Sequence, residues 1–241
     1  MKRLLSTLKI DVVVQVRNQL YTIGIVSSVI IAIAISQLFS VSSLKGVVPA
    51  VILLVIGGTT MLYIGALILF EKDEGTLNAA MVSPLRASEY LWSKVISLNL
   101  LATLETVIMV GGALAIMRFS GPIQMPQLPL LFIGIVCIGV VYTLIGIILI
   151  VRYNKITNYL IPMAAVAMVL QLPFLYFWGL VKHPVFLVVP TSAPAMLIQG
   201  AFTSLPTWQW LYGIAYTAVL ILGLGIWSYR AFHVHIIQKV G

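Results

Sequence analysis

Acidic residues are scarce in this chain, whose 241 residues include six Asp and Glu against fourteen Lys and Arg. Only 8% of the residues are charged, whereas 61% are hydrophobic and the mean hydropathy is +1.11. A soluble protein of this size could not hide so much apolar side chain in its core. The composition therefore excludes a soluble globular domain and predicts an integral membrane protein.

Cysteine and histidine are too few to build a familiar catalytic or metal centre. Cys137 is the sole cysteine and has no partner in the chain, so we interpret it as a packing residue. His183 is remote from His233 and His235, whose spacing does not converge on one helix face. The nucleotide-binding motif G-x-x-x-x-G-K-S/T does not occur either. We therefore expect no catalytic residue, no metal site and no cofactor bound by this chain.

The basic residues are scattered singly between apolar segments, without the stripe or motif that nucleic-acid binding requires. Six of those apolar segments reach the roughly 20 residues that a helix needs to cross a bilayer. The sequence therefore predicts an all-α fold in one transmembrane domain over 1–241. We place the spans near 20–40, 47–70, 95–116, 128–151, 157–180 and 209–229.

The distribution of Lys and Arg predicts the orientation of these spans. Eleven of the fourteen lie in four segments, 1–19, 71–94, 152–156 and 230–241, and the other three are Lys45, Arg118 and Lys182. Because cytoplasmic loops carry the excess of basic residues, both termini are predicted to be cytoplasmic. The outside connections are then 41–46, 117–127 and 181–208.

Two segments outside the spans have helical patterns of their own. An apolar stripe in 1–19 predicts an amphipathic helix on the cytoplasmic membrane surface, with an extension of the first span as the alternative. The segment 181–208 is too long and too apolar for a plain loop, and four prolines break it. We expect a short re-entrant helical hairpin in the outer leaflet there, capped by Ser192 and terminated by Gly200.

Four of the six acidic residues lie in one stretch, "FEKDEGTLNAAMVSPLRASEYLWSK", residues 70–94. Ser83-Pro84 divides this predicted cytoplasmic loop into two helical pieces, of which the second is expected to be capped by Ser88. The first piece predicts an apolar patch with an acidic rim, formed by Thr76, Leu77, Ala80 and Met81 beside Glu71, Asp73 and Glu74. Such a patch suits a protein partner, and an ordinary solvated loop is the alternative.

The same stretch resembles the cytoplasmic loop of the ABC-2 type permeases, the membrane subunits of ABC exporters. The shared elements are an acidic residue before Gly75-Thr76-Leu77, then Pro84-Leu85, and finally Glu89-Tyr90-Leu91 with Lys94. The resemblance extends to the amphipathic start, the six spans and the proline-rich outer segment, so it covers essentially the whole chain. Asn78 departs from the family's pattern, in which an acidic residue often follows the leucine.

This resemblance implies a type V exporter in the cell membrane of a bacterium or archaeon. Two six-helix permease subunits, either two copies of this chain or this chain and a relative, would each sit on a cytosolic ATP-binding subunit that holds ATP and Mg²⁺. The loop 71–94 would be the coupling helix, and the turn after the fourth span a lesser contact. The implied contacts with the ATPase are Glu71, Glu74, Gly75, Thr76, Leu77, Pro84, Arg152 and Lys155.

The family also implies that an amphiphilic cargo, drug-like, lipidic or peptidic, passes between the second and fifth spans of facing subunits. Candidate lining residues are Thr59, Thr60, Tyr63, Gln171, Tyr176, Phe177 and Trp178. The alternatives are close helix packing near Gly57-Gly58 and an aromatic belt at the outer membrane surface.

Glu105 lies near the middle of the third span, where an ionised carboxylate costs several kcal/mol. It is a candidate for cargo contact or for proton or cation coupling. A structural glutamate that bonds Asn99, Thr103 or Thr106 is the alternative. An ATPase-independent secondary transporter coupled through Glu105 is therefore the second functional hypothesis.

Overall fold

The computed structural model describes residues 2–82, 85–119 and 125–238, apart from the side chains of Lys2 and Met81. Pro84, a predicted contact residue, and Lys239, counted in the charge bias, lie outside the described residues. Ten α-helices are described: α1 (Lys2–Arg17), α2 (Leu20–Leu38), α3 (Leu44–Asp73), α4 (Thr76–Val82), α5 (Ala87–Arg118), α6 (Leu128–Ile150), α7 (Ile156–Gln171), α8 (Phe174–Trp178), α9 (Ser192–Gly200) and α10 (Thr207–Phe232).

Among the described residues, six helical segments are long and apolar enough to cross a membrane, and they match the six predicted spans. They are Leu20–Leu38, Val41–Asp73, Ala87–Arg118, Leu128–Ile150, Ile156–Trp178 and Thr207–Ile237. No β-strand occurs in the parts of the chain that the structure describes. The predictions of an all-helical fold and of six spans are therefore confirmed for the described residues. The helices α3 and α5 extend past the ends of the predicted spans, because the polar residues there continue the main-chain hydrogen bonds of the helix.

Helix α6 lies at the centre of the bundle, packed against α3, α5, α9 and α10. Its Tyr142 ring occupies a notch in α3, because a Cβ on Gly57 would lie 2.3 Å from Tyr142 Cζ. Tyr159 of α7 fills a second notch, where a Cβ on Gly65 would lie 2.2 Å from Tyr159 Cε1. Gly57 therefore serves close helix packing, which is the alternative reading of the Gly57-Gly58 pair.

Helix α9 is buried between the ends of α3, α6 and α10. Its close approach to α6 depends on Gly134, where a Cβ would lie 2.5 Å from Ile198 Cγ1. The helix ends at Gly200 as predicted, but the predicted cap is wrong. Ser192 is the first helical residue, and its hydroxyl donates to the carbonyl of Phe186 instead of accepting from an amide of the first turn. The depth of this segment in a membrane stays a prediction.

The connections between helices collect at two opposite ends of the bundle. The "α4 end" comprises α1, α4, the turn at 151–155 and a π-helical turn, His233–Ile237, and the core at this end is formed mainly by α3, α5 and α6. The "α9 end" comprises the connections at 39–43 and 179–206. The charge bias predicts that the α4 end is cytoplasmic, and this orientation remains a prediction.

The two adjacent glycines of α3 provide a direct test of the tyrosine notch. We expect Gly57→Ala to lower the free energy of unfolding by about 1–3 kcal/mol, because the tyrosine ring must shift. Gly58→Ala is the matched control, since its nearest atom, Gln171 Nε2, would be 3.7 Å away. Thermal unfolding midpoints of both variants in one detergent provide the measurement. Equal midpoints would contradict this packing.

Candidate functional site

Five polar side chains from three helices meet at the α4 end, and we call them the acid–lysine network. Its members are Asp11, Glu71, Tyr90, Ser93 and Lys94. Lys94 Nζ donates to Asp11 Oδ1 at 2.5 Å and to Glu71 Oε1. Ser93 donates to Asp11 Oδ2, and Tyr90 donates to Glu71 Oε2 at 2.5 Å. Both Asp11 and Lys94 are buried.

The network satisfies all four carboxylate oxygens of its two acids. Burying charges is costly unless each charge is paired and hydrogen-bonded, and here the lysine bridges both acids. The Lys94 ammonium also lies 5.1 Å from the centre of the Tyr90 ring. As a result, α1, the end of α3 and the start of α5 are joined at one point.

Helix α4 follows α3 after a left-handed turn at Gly75, whose φ is 71°. Glycine adopts this conformation without steric cost and commonly ends helices in this way. Leu77 is only 1% exposed and packs into the bundle, so the prediction that it belongs to the exposed patch is wrong. The exposed surface of α4 is formed instead by Thr76, Asn78, Ala79 and Val82, the last of which is 81% exposed.

The α6–α7 turn, residues 151–155, lies beside the segment that joins α3 to α4. Lys72 Nζ donates to the carbonyl oxygen of Tyr153 at 2.7 Å, which joins the two segments. Arg152 and Lys155 are exposed on this turn, and Glu74 and Thr76 are exposed on the loop. The structure thus brings together, at one end, the described residues for which ATPase contact was predicted.

The start of α5 is capped differently from the prediction. The helix begins at Ala87, and the amide of Arg86 donates to Glu89 Oε2 at 3.0 Å. Glu89 therefore accepts a hydrogen bond from the amide at this helix end, and Ser88 does not cap the helix. Acidic residues in a first turn also interact favourably with the helix dipole.

Glu105 is 1% exposed and lies between α2, α3 and α5. Thr59 Oγ1 donates to Glu105 Oε2 at 3.4 Å, while Oε1 has no hydrogen-bond partner among the described residues. A Cβ on Gly24 would lie 2.1 Å from Oε1. The predicted local partners are wrong, because they bond main-chain oxygens instead: Asn99 that of Val136, Thr103 that of Asn99, and Thr106 that of Ala102.

The candidate path residues fall into two groups. Thr59 lies on a partly exposed face of α3, with Thr60 and Tyr63 buried behind it, and Gln171 Nε2 donates to Leu54 O at 3.1 Å. The second group lies at the α9 end, where Phe177 is buried, Tyr176 is half-buried and Trp178 is 41% exposed. The structure thus brings Thr59 and Glu105 together and keeps the aromatic cluster apart from them.

A comparison with known proteins decides the family. Residues 2–240 match the sequence profile of the fluoroquinolones export permease protein family. This chain belongs to that family. It is similar to the fluoroquinolones export permease proteins of two strains of Mycobacterium tuberculosis, each 28% identical over 244 residues, which cover 100% of this chain and 99% of the relative. The network and α4 are therefore features of a multi-pass membrane protein of an export permease family.

The sequence analysis missed most of the permease's acid–lysine network. The apolar stripe predicted in 1–19, which contains Leu5, Val13 and Val16, does not include Asp11, whereas the structure buries Asp11 against α5. Gln15, one turn later, faces the same way and donates to Ser97 Oγ at 2.8 Å. A usable signal was present, since Asp11 and Gln15 share a helix face with Leu4 and Leu8. The apolar side chains of Leu5, Ile10, Val13 and Val16 are exposed instead.

Removing the lysine of the permease's network tests its energetic importance. We expect Lys94→Met to lower stability by about 3–5 kcal/mol, because Asp11 then stays buried without its cation. Lys155→Met is the control, since this lysine is exposed and its loss should change stability by less than about 0.5 kcal/mol. Unfolding of both purified variants in detergent provides the measurement. A tolerance of Lys94→Met equal to that of the control would show that the ion pairs contribute little.

Proposed function

We propose that this chain is the permease subunit of an ATP-driven exporter, working with a separate cytosolic ATP-binding subunit that holds ATP and Mg²⁺. The observation that carries the proposal is the geometry of α4. It is a short exposed helix, fixed at its base by Leu77 and flanked by the acid–lysine network. A helix that must transmit force between proteins needs such an exposed face and such a fixed base.

The proposed contact surface on the ATPase side is the outer face of α4 with the adjoining turn. Ala79 and Val82 form its small apolar centre, and the polar Asn78 lies beside them. Acidic Glu74 lies on one side and basic Arg152 and Lys155 lie on the α6–α7 turn. A small apolar centre with a charged rim is the usual composition of a protein interface. Gly75 contributes through the turn that orients α4, and Glu71 through the network.

The proposed transmission runs from α4 into three helices at once. A displacement of α4 reaches α3 through the Gly75 turn, and reaches α1 and α5 through the lysine that bridges Asp11 and Glu71. Because packed interfaces shift as discrete units, such a push moves these helices together. Nucleotide-driven closure of two ATPase subunits would supply the push.

The face formed by α3 and α7 is proposed to meet a second permease subunit and the cargo. Val55, Gly58, Thr59 and Leu62 form a partly exposed stripe on α3 at helical spacing. An exposed stripe on α7 contains the small Ala164 and Ala165, which allow close helix approach in lipid. Two copies of this chain, or this chain and a relative, would enclose the cargo there.

The cargo is proposed to be an amphiphilic aromatic compound of the fluoroquinolone type. The relatives carry that drug class in their names, and they align with essentially the whole chain. The buried carboxylate of Glu105 behind Thr59 offers a polar contact within an otherwise apolar span. A drug with both charged groups and flat rings matches this mixture.

Docking of the ATPase is tested by placing charge at the centre of the α4 face. We expect Val82→Asp to abolish association with the ATP-binding subunit and ATP-driven drug efflux, because a desolvated charge would replace an apolar contact. Val188→Asp at the α9 end is the matched control, since Val188 is 71% exposed and remote from α4. Co-purification and transport in vesicles are the measurements. Normal coupling in Val82→Asp would refute the docking surface.

Glu105→Gln separates this proposal from a secondary transporter coupled through that carboxylate. An ATP-driven exporter should retain ATP-dependent efflux in Glu105→Gln, with a change confined to cargo affinity. The alternative predicts that efflux follows a pH gradient without ATP and vanishes in the variant. Transport in vesicles with either energy source distinguishes these results.

A further inference from the structure

A cleft of about 570 Å³ opens at the α9 end, between the start of α3 and the end of α8. Two basic residues, Lys45 and Lys182, line it together with the aromatic side chains of Phe39 and Trp178. The two lysines are separated by more than a hundred positions in sequence, yet both line the same cleft. We call it the lysine cleft. Helix α4 and the partly exposed stripe on α3 do not line this cleft.

The lysine cleft is strongly unbalanced in charge. The sequence has no Asp or Glu between Asp11 and Glu71 and none after Glu105. Within the described residues, neither Lys45 nor Lys182 takes part in an ion pair, and both are exposed. They are also two of only three basic residues that the charge bias predicts outside. A pair of cations without any counter-charge nearby attracts an anionic group.

The wall of the cleft suits a flat aromatic body. The rings of Phe39 and Trp178 meet edge to face, with centroids 5.8 Å apart, and Trp178 is partly exposed. Gln199 and Gln209 add amide groups that can bond an oxygen atom. An aromatic surface beside two ammonium groups matches a ligand that joins a ring system to an oxyanion.

Two glycines fix the geometry of this cleft. A Cβ on Gly46 would lie 2.5 Å from the carbonyl oxygen of Phe177, so the first turn of α3 touches α8 directly. Gly179 ends α8 with a φ of 86°, and the next amide, that of Leu180, donates back to Leu175 O at 3.0 Å. This reversal brings Lys182 towards Lys45. The cleft is therefore held by backbone contacts, although its lysine side chains are exposed.

We infer that the lysine cleft is a binding site for an aromatic carboxylate, on the side of the membrane to which cargo is exported. The ammonium groups of Lys45 and Lys182 hold the carboxylate, and the wall containing Trp178 holds the rings. The assignment of the ligand class rests on the proposed function, since drugs of the fluoroquinolone type are aromatic carboxylates. The phosphate of a lipid headgroup shares the oxyanion chemistry, and the experiment separates the two.

Binding is measured by equilibrium dialysis with the purified full chain in neutral phosphatidylcholine nanodiscs. The probes are nalidixic acid, a quinolone-type carboxylate, and its ethyl ester, which keeps the rings and lacks the negative charge. We expect the double variant Lys45→Gln, Lys182→Gln to weaken binding of the acid roughly three- to tenfold and to leave the ester unchanged. Trp178→Leu should weaken both probes.

Arg118→Gln is the matched control, because it removes the third basic residue predicted outside, which does not line the cleft. We expect it to leave the affinities of both probes unchanged. An equal effect of Arg118→Gln on the acid would reveal general electrostatic attraction and overturn the site. An unchanged ratio of acid to ester affinity in the double lysine variant would overturn it as well.

Native mass spectrometry of the protein from bilayers with phosphatidylglycerol provides the lipid arm. Retention of this lipid that depends on the two lysines, with an unchanged acid-to-ester ratio, would assign the cleft to a lipid phosphate and overturn the proposal. The dialysis assay needs neither ATP nor an ATPase. If the lysine variants bind the acid normally while ATP-driven efflux is intact, the binding site is rejected and the proposed function stands. If ATP-driven efflux is absent, the dialysis result is unaffected.

Discussion

The double ion pair of Lys94 with Asp11 and Glu71 is the interaction on which the α4 end depends. A single ammonium group inside the protein satisfies two acids that belong to different helices. Asp11 could not be buried there alone, because an unpaired buried charge is strongly unfavourable. The position of α1 is thus tied to the end of α3, from which α4 begins. The geometry of the proposed docking surface follows from this arrangement.

Two kinds of contact hold the bundle together: polar contacts at the α4 end and close packing at glycines deeper in the bundle. At the α4 end, ion pairs and hydrogen bonds join α1, α3 and α5. Deeper in the bundle, glycines admit tyrosine rings and a glutamate side chain between helices. This division suits a membrane protein, because burial of apolar surface does not drive helices together within lipid. Close packing and a few polar contacts must supply that stability.

Much of the fold could be predicted from the sequence because its signals are local or additive. Span number and length follow from runs of apolar residues, and the turn at Gly75 follows from a glycine at a helix end. The network could not be predicted, because Asp11 and Lys94 are brought together only by tertiary packing. Leu77 was misplaced for a related reason: a seven-residue helix does not reveal from its sequence which face meets the bundle.

The hydrogen-bond partners of polar residues inside the spans could not be predicted from the sequence either. Glu105 was recognised as exceptional by its cost in lipid, yet its partner, Thr59, comes from another helix. The nearby candidates bond the main chain, as Ser and Thr in helices commonly do. The position of Glu105 in an apolar span therefore identified the unusual residue, whereas spacing along its own helix failed to identify its partner.

The two tyrosine notches of α3 restrict how this permease can change shape. Gly57 and Gly65 lie about two helical turns apart and receive rings from two different helices, α6 and α7. Sliding α3 along its axis, or turning it, would drive its neighbouring side chains into both rings. The helices α3, α6 and α7 are therefore interlocked in this structure. In the proposed exporter, opening and closing would therefore take place between such interlocked groups of helices, at the α3–α7 face where two subunits meet.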